Sequence, residues 1–330
     1  MVTRRQAVLA LGAGAFTAPF CAQAQKQAKI WHIGFLAPRS RPLSIESHFY
    51  GAFLKGMREL GYVEGKDFVV EWRFADGNYG LLPQLAMDLV RLNVDVILTG
   101  SSPTIRAAIE ATRTIPIVMG TPSDPVGAGF VASLSHPGGN VTGMTFFVED
   151  IISKHVEMLK KFVPKLSSFA LLENGSSSIQ SKSKAIAETA ARAIGVRIVY
   201  IDARTPQDIE QGIADASRKR IGGLIVSADA MLGQQRNQIA SLALKHRLPT
   251  ITGEREYAEA GCLLSYGQTL AGNFHRAAYY VHKIMSGSLP AELPVEQPTK
   301  FALIINRRTA KALSITIPRE LLLWADEMIE

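Results

Sequence analysis

Histidine is the residue type to examine first for chemistry. The seven stand at 32, 48, 136, 155, 246, 275 and 282; no two are spaced i, i+4 around a Glu, and no Cys/His cluster has zinc-ligand spacing. Hydrolysis of the zincin kind is therefore excluded. Gly-x-x-x-x-Gly-Lys-Ser/Thr and Gly-x-Ser-x-Gly are absent, and Gly127-Ala128-Gly129 lacks the third glycine of a dinucleotide-binding turn. The polar residues that remain suit the holding of a ligand. In Thr99-Gly100-Ser101-Ser102-Pro103-Thr104, Ser102 fits a helix N-cap and Pro103 the first helical position. The hydroxyls of Ser101, Ser102 and Thr104, with open amides beside them, would hold a carboxylate or another anion, a role compatible with capping. Asp124, set between Pro122 and Pro125, would receive a ligand ammonium or hydroxyl, or terminate a turn. Asp229 competes with it for an ammonium, while Asn174, Ser176 and Tyr257 offer further polar contacts.

Those residues gain meaning from the elements that carry them. Apolar runs at 30–36, 68–74, 94–98 and 115–119 read as strands, with helical periodicity between them in Phe49, Phe53, Met57 and Leu60 and then Leu82, Leu85, Leu89 and Leu92. The pattern restarts with strands at 169–172, 196–201, 223–226 and 249–251, separated by helices at 179–194, 206–220 and 232–246. Near-continuous Val/Ile/Leu strands point to parallel sheets covered on both faces. The halves match in order, about 130 residues apart, as expected of two similar lobes and not of a short-period array. Ligands of such sheets meet the loops beyond the strands' carboxyl ends, where the polar residues above lie. The fold class is therefore α/β, with two Rossmann-like doubly wound lobes joined by a three-crossover hinge. Residues 25–144 plus about 266–294 form the first lobe, and 145–265 plus about 295–330 the second. Phe146, Phe147 and Tyr266 flank the hinge, placed either to stack a planar ligand or to pack the core.

Composition narrows the setting. The chain of 330 residues is 47% hydrophobic and 20% charged, enough for a full core. Its net charge of +7 includes Arg4 and Arg5. With no basic stripe, a nucleic-acid partner is excluded. Basic Arg4-Arg5, an apolar run from Ala7 to Phe20 and Ala22-Gln23-Ala24 have the layout of an export signal cut after Ala24, which makes residues 1–24 a leader and the mature chain periplasmic. The arginine pair leaves general secretion and the twin-arginine route both open. Bulky Phe20 before Cys21 argues against lipid anchoring, and Cys262 is then the sole mature cysteine, so no internal disulfide forms. No pattern calls for a cofactor or a metal.

Four separate blocks carry a family resemblance: Glu59 to Lys66, Ser123 to Val131, His136 to Gly143 and Pro294 to Phe301. Together they resemble the ABC-transporter substrate-binding protein family that includes TrpX-type tryptophan- and tyrosine-binding proteins, over essentially the whole mature chain. The resemblance implies a type I periplasmic-binding-protein fold that closes on a small molecule, with aromatic amino acids among the family's ligands, and presents it to a membrane permease. It places Ser101, Ser102 and Asp124 on ligand-facing loops of the first lobe, and Asn174, Asp229 and Tyr257 on those of the second. Pro38-Arg39-Ser40-Arg41-Pro42 is more basic than the family pattern and admits a more acidic ligand. A monomer without chemical activity is expected. The alternative is a secreted enzyme or ligand sensor on the same fold.

Overall fold

Chain order and pairing build two separate sheets. The computed structural model describes residues 29–122, 124–145, 148–175, 180–297 and 301–330. The leader with Cys21, and also Phe146, Phe147 and Ser176, lie outside them.

The first lobe runs β1 (Trp31–Ala37), α1 (Gly51–Glu59), β2 (Phe68–Phe74), α2 (Leu82–Arg91), β3 (Val96–Thr99), α3 (Ser102–Ala111), β4 (Ile117–Met119) and β5 (Val141–Gly143). All pairings are parallel, in the order β2-β1-β3-β4-β5. Central β3 and β4 are buried along their whole length, as parallel strands covered on both faces must be. Edge strand β2 buries only Phe68 fully, so its pattern is mixed.

The second lobe contains α4 (Val148–Phe162), β6 (Ser168–Glu173), α5 (Gln180–Ala193), β7 (Arg197–Asp202), α6 (Pro206–Arg218), β8 (Leu224–Val226), α7 (Ala230–Gln234), α8 (Arg236–Lys245), β9 (Thr250–Thr252), α9 (Arg255–Ala260) and β10 (Leu264–Gly267). Then α10 (Leu270–Met285) returns to the first lobe, where Phe274, Ala277, Tyr280 and Val281 share a core with Phe35, Phe53 and Met57. The chain goes back through β11 (Ala302–Asn306), α11 (Arg307–Leu313), α12 (Arg319–Trp324) and β12 (Glu327–Ile329). The second sheet is ordered β12-β11-β10-β9-β8-β6-β7, parallel except where β11 meets β10. The chain thus passes between sheets after β5, after β10 and before β11. Beside the hinge, a Cβ on Gly267 would stand 2.1 Å from the Gly253 carbonyl oxygen, so only glycine lets β10 approach the end of β9 this closely.

Two readings from periodicity need correction. The helix expected over 232–246 is two helices, α7 and α8, meeting at Gln235, because the Asp229 side chain caps a turn two residues earlier than the apolar period begins. Strands β11 and β12 extend the second sheet beyond the matching halves, outside the alternation by which the two halves were read.

Candidate functional site

A sheet of order β2-β1-β3-β4-β5 reverses its winding between β1 and β3, and β7-β6-β8-β9 does so between β6 and β8. At such switch points adjacent loops diverge and leave a crevice. A cavity of about 150 Å³ lies over both. Its wall takes Pro38 and Arg39 from the loop after β1, Gly100 to Pro103 from that after β3, Glu173 and Asn174 from the end of β6, and Ser227 to Ala230 from that after β8.

This geometry sorts the residues read from the sequence. Ser101, Ser102, Asn174 and Asp229 line the cavity. Thr104 is buried behind it, where its hydroxyl accepts from the Ser101 amide at 3.1 Å and donates to the Ser101 carbonyl at 2.7 Å, closing the first turn of α3. Asp124 follows β4, one strand beyond the switch point, and does not line the cavity; its Oδ1 accepts from the Gly127 amide at 2.9 Å, a turn contact. Tyr257, on α9 beyond β9, is buried away from the wall. Tyr266 lies on β10 with its ring stacked on Phe301 at 5.8 Å, and its carbonyl accepts a 2.7 Å bond from His155 Nε2. Asp229 is already engaged: Oδ1 caps α7 at Met231 and Leu232 and accepts from Asn174 Nδ2, while Oδ2 accepts from Tyr79 across the cleft at 2.9 Å.

Residues that the sequence reading did not single out supply the rest. One wall is aromatic: Phe49, Tyr50 and Phe274, with Phe49 and Phe274 stacked at 5.7 Å and Tyr50 edge-on to Phe274 at 5.2 Å. Arg39 sits 5.5 Å over the Phe49 ring, and its Nη2 bonds both Glu254 oxygens, at 2.8 and 3.0 Å, from the opposite lobe. Burial works against that guanidinium charge and Glu254 more than offsets it, leaving its pKa raised. A Cβ on Gly233 would lie 2.5 Å from Arg39 Nη2, so a side chain there would push the guanidinium from its present seat. Arg39 of the basic first loop is therefore matched by the protein's own carboxylate, while Arg41 lies 5.9 Å over the Phe74 ring.

Glu173 is the cavity's one strongly perturbed acid. It is 2% exposed, burial pushes its carboxyl up to about 7 against the pull of Lys184, and neither oxygen has a hydrogen-bond partner. Ser227 Oγ and Gln268 Nε2, also on the wall, are likewise without partners, while Gln268 Oε1 accepts from Asn273 and so turns its NH₂ group the other way. Buried polar groups left unsatisfied cost stability, so their gathering on one cavity marks a place for a polar ligand. In the sequence, Glu173 shows only as the first polar residue after a buried run. His155 completes the floor, kept neutral by burial, which lowers its pKa to about 4. Among the described residues no three His, Cys, Asp or Glu cluster to hold a metal, and no helix is long and apolar enough to cross a membrane.

Comparison with known proteins agrees with this architecture. The family model described as ABC transporter substrate binding protein matches residues 44–329. A tyrosine-binding protein of Clostridioides difficile is 27% identical over 264 residues, which are 80% of this chain and 75% of that protein. A conserved domain protein from Vibrio cholerae superposes with a TM-score of 0.84 at 27% identity, covering 91% of this chain and all of that one. An ABC domain from Streptococcus pneumoniae in complex with L-Trp does so with the same TM-score and coverage at 22% identity, a likeness of fold.

Proposed function

The chain belongs to the ABC transporter substrate-binding protein family, and from that premise we propose that it captures an aromatic amino acid, tyrosine or tryptophan, intact between its lobes. Members of the family bind solutes and do not transform them, which sets aside the enzyme alternative. The observation that carries the ligand class is the makeup of the cavity: a buried carboxyl without a hydrogen-bond partner at Glu173, the hydroxyls of Ser101 and Ser102 at the start of α3, and rings at Phe49, Tyr50 and Phe274 on one wall. An α-amino acid presents a matching ammonium, carboxylate and side chain. A cavity of about 150 Å³ is the size that takes up benzene in an engineered protein core, so one aromatic ring fits. The tyrosine-binding relative supports the same class.

Magnitudes say which contacts matter. Ring stacking adds only about 0.5–1.5 kcal/mol beyond burial, whereas micromolar affinity needs about 8. Charge-assisted bonds at about 1.5–3 kcal/mol each, made in a cleft closed to water, supply most of the rest. In this reading Ser101 and Ser102 hold the carboxylate and Glu173 the ammonium, displacing Asp124 from that role; Asn174 keeps Asp229 in place. The mature chain, cut after Ala24, acts as a periplasmic monomer that presents its closed lobes to a membrane permease. A thermal-shift panel of amino acids, aromatic acids and sugars tests it. Tyrosine or tryptophan at about 100 times its dissociation constant should add roughly 2.7 kcal/mol; a shift with sugars alone rejects the assignment.

A further inference from the structure

Glu173 is an anomaly for a protein that holds its acids carefully. Asp229 accepts four hydrogen bonds and Glu254 two, while the Glu173 oxygens, the most deeply buried of the three, accept none. Among the described residues the cation beside it is Lys184 on α5, whose Nζ forms an ion pair at 3.8 Å from Oε2, beyond hydrogen-bond reach. The other groups facing it do not relieve a negative charge. From β7 come Asp202, itself acidic and engaged with the Gly175 amide and Arg204, and Tyr200, whose hydroxyl donates to Glu188. From α4, His155 shares the cavity in its neutral form, and after β8 stands Asp229. Across the cleft the wall carries the hydroxyls of Ser101 and Ser102 and the Arg39 guanidinium, whose charge is matched by Glu254.

A carboxyl in such surroundings keeps a proton until a cation arrives. We infer that capture of the amino acid is coupled to proton release: Glu173 holds its proton while the cleft is unliganded, and gives it up to solvent when the ligand's ammonium takes its place as counter-charge. The inference rests on the ligand class proposed above. The balance is simple: the Glu173 O–H bond breaks, its proton passes to buffer, and the ligand keeps all three ammonium protons. Two consequences follow from linkage. Affinity declines as pH falls below the neutral range in which Glu173 titrates. Selectivity also depends on pH, because an analogue lacking the amine, such as indole-3-propionate, neither expels the proton nor gains from its loss.

Titration calorimetry of the wild-type protein with L-tryptophan and L-tyrosine, in two buffers of different ionisation enthalpy at pH 6, 7 and 8, reads the released proton directly. With the carboxyl titrating at about 7, roughly half a proton should be released at pH 7, nearly one at pH 6 and about a tenth at pH 8. The dissociation constant should be about tenfold weaker at pH 6 than at pH 8. Glu173→Gln, first checked for its fold by thermal unfolding, should bind more weakly, and the binding measured at raised protein concentration should show neither dependence. Binding with no buffer-dependent heat overturns the inference while leaving the ligand class intact, as does proton release that persists in Glu173→Gln. Absence of binding by both amino acids overturns the ligand class and the inference together.

Discussion

A buried carboxyl with no hydrogen-bond partner is expensive, and Glu173 carries that cost in the free protein for the sake of the complex. Its pKa is raised from the ordinary 4.5 to about 7, so between those values the folded chain binds more protons than the unfolded one. The stability from this group is present below about 4.5 and lost as pH rises to 7. Replacing Glu173 by Gln should therefore stabilise the ligand-free protein at pH 8 by about 1–3 kcal/mol, seen as a higher unfolding temperature; an unchanged or lower value would contradict the account. His155 and His48 work in the opposite sense. Burial lowers both to about 4, so their contribution is complete above 6.5 and is lost as pH falls to 4. His155→Gln keeps an N–H for the Tyr266 carbonyl and should make the decline across that window shallower by about 1.4 kcal/mol per pH unit. A slope equal to that of the wild type would show that His155 already carries its charge in the fold.

At the scale of elements, closure depends on loops that no local pattern connects. Arg39, after β1, reaches Glu254, after β9, and Tyr79, before α2, reaches Asp229 at the start of α7. The Arg39 and Glu254 side chains are 12% and 11% exposed, so the pair gains strength from exclusion of water. Opening the lobes returns both groups to solvent, which places the cost of losing one partner on closure and not on folding. Glu254→Ala should weaken ligand binding by about 3 kcal/mol, roughly a hundredfold, with little change in ligand-free unfolding temperature. A large drop in that temperature with affinity preserved would mean that the pair merely supports the fold. These contacts were illegible in the sequence because both pairs join residues at least 150 positions apart. What the sequence did reveal were strands: Phe68 to Phe74, apolar at five of its seven positions, read correctly to the residue. Glu173 was hidden for a related reason, since a polar residue ending a buried strand looks like its terminus.

The whole molecule explains why some polar strand tips matter and others do not. Both sheets share one winding order, and the cavity forms where the two reversals face each other. At the next strand tips Thr121 and Glu254 still reach the wall, whereas Asp124 and Tyr257, three residues further along each loop, lie off it. Strand tips were legible; which of them meet was not, because the switch point depends on sheet order, and sheet order comes from long-range pairing. The central claim is that this cavity receives an aromatic amino acid and releases it unchanged. Equilibrium dialysis with radiolabelled L-tryptophan, followed by chromatography of the recovered label, tests that most directly. One equivalent should be retained, displaced by excess L-tyrosine and not by sugars, and recovered as tryptophan. Label that is not retained, or that returns as a different compound, would contradict the account.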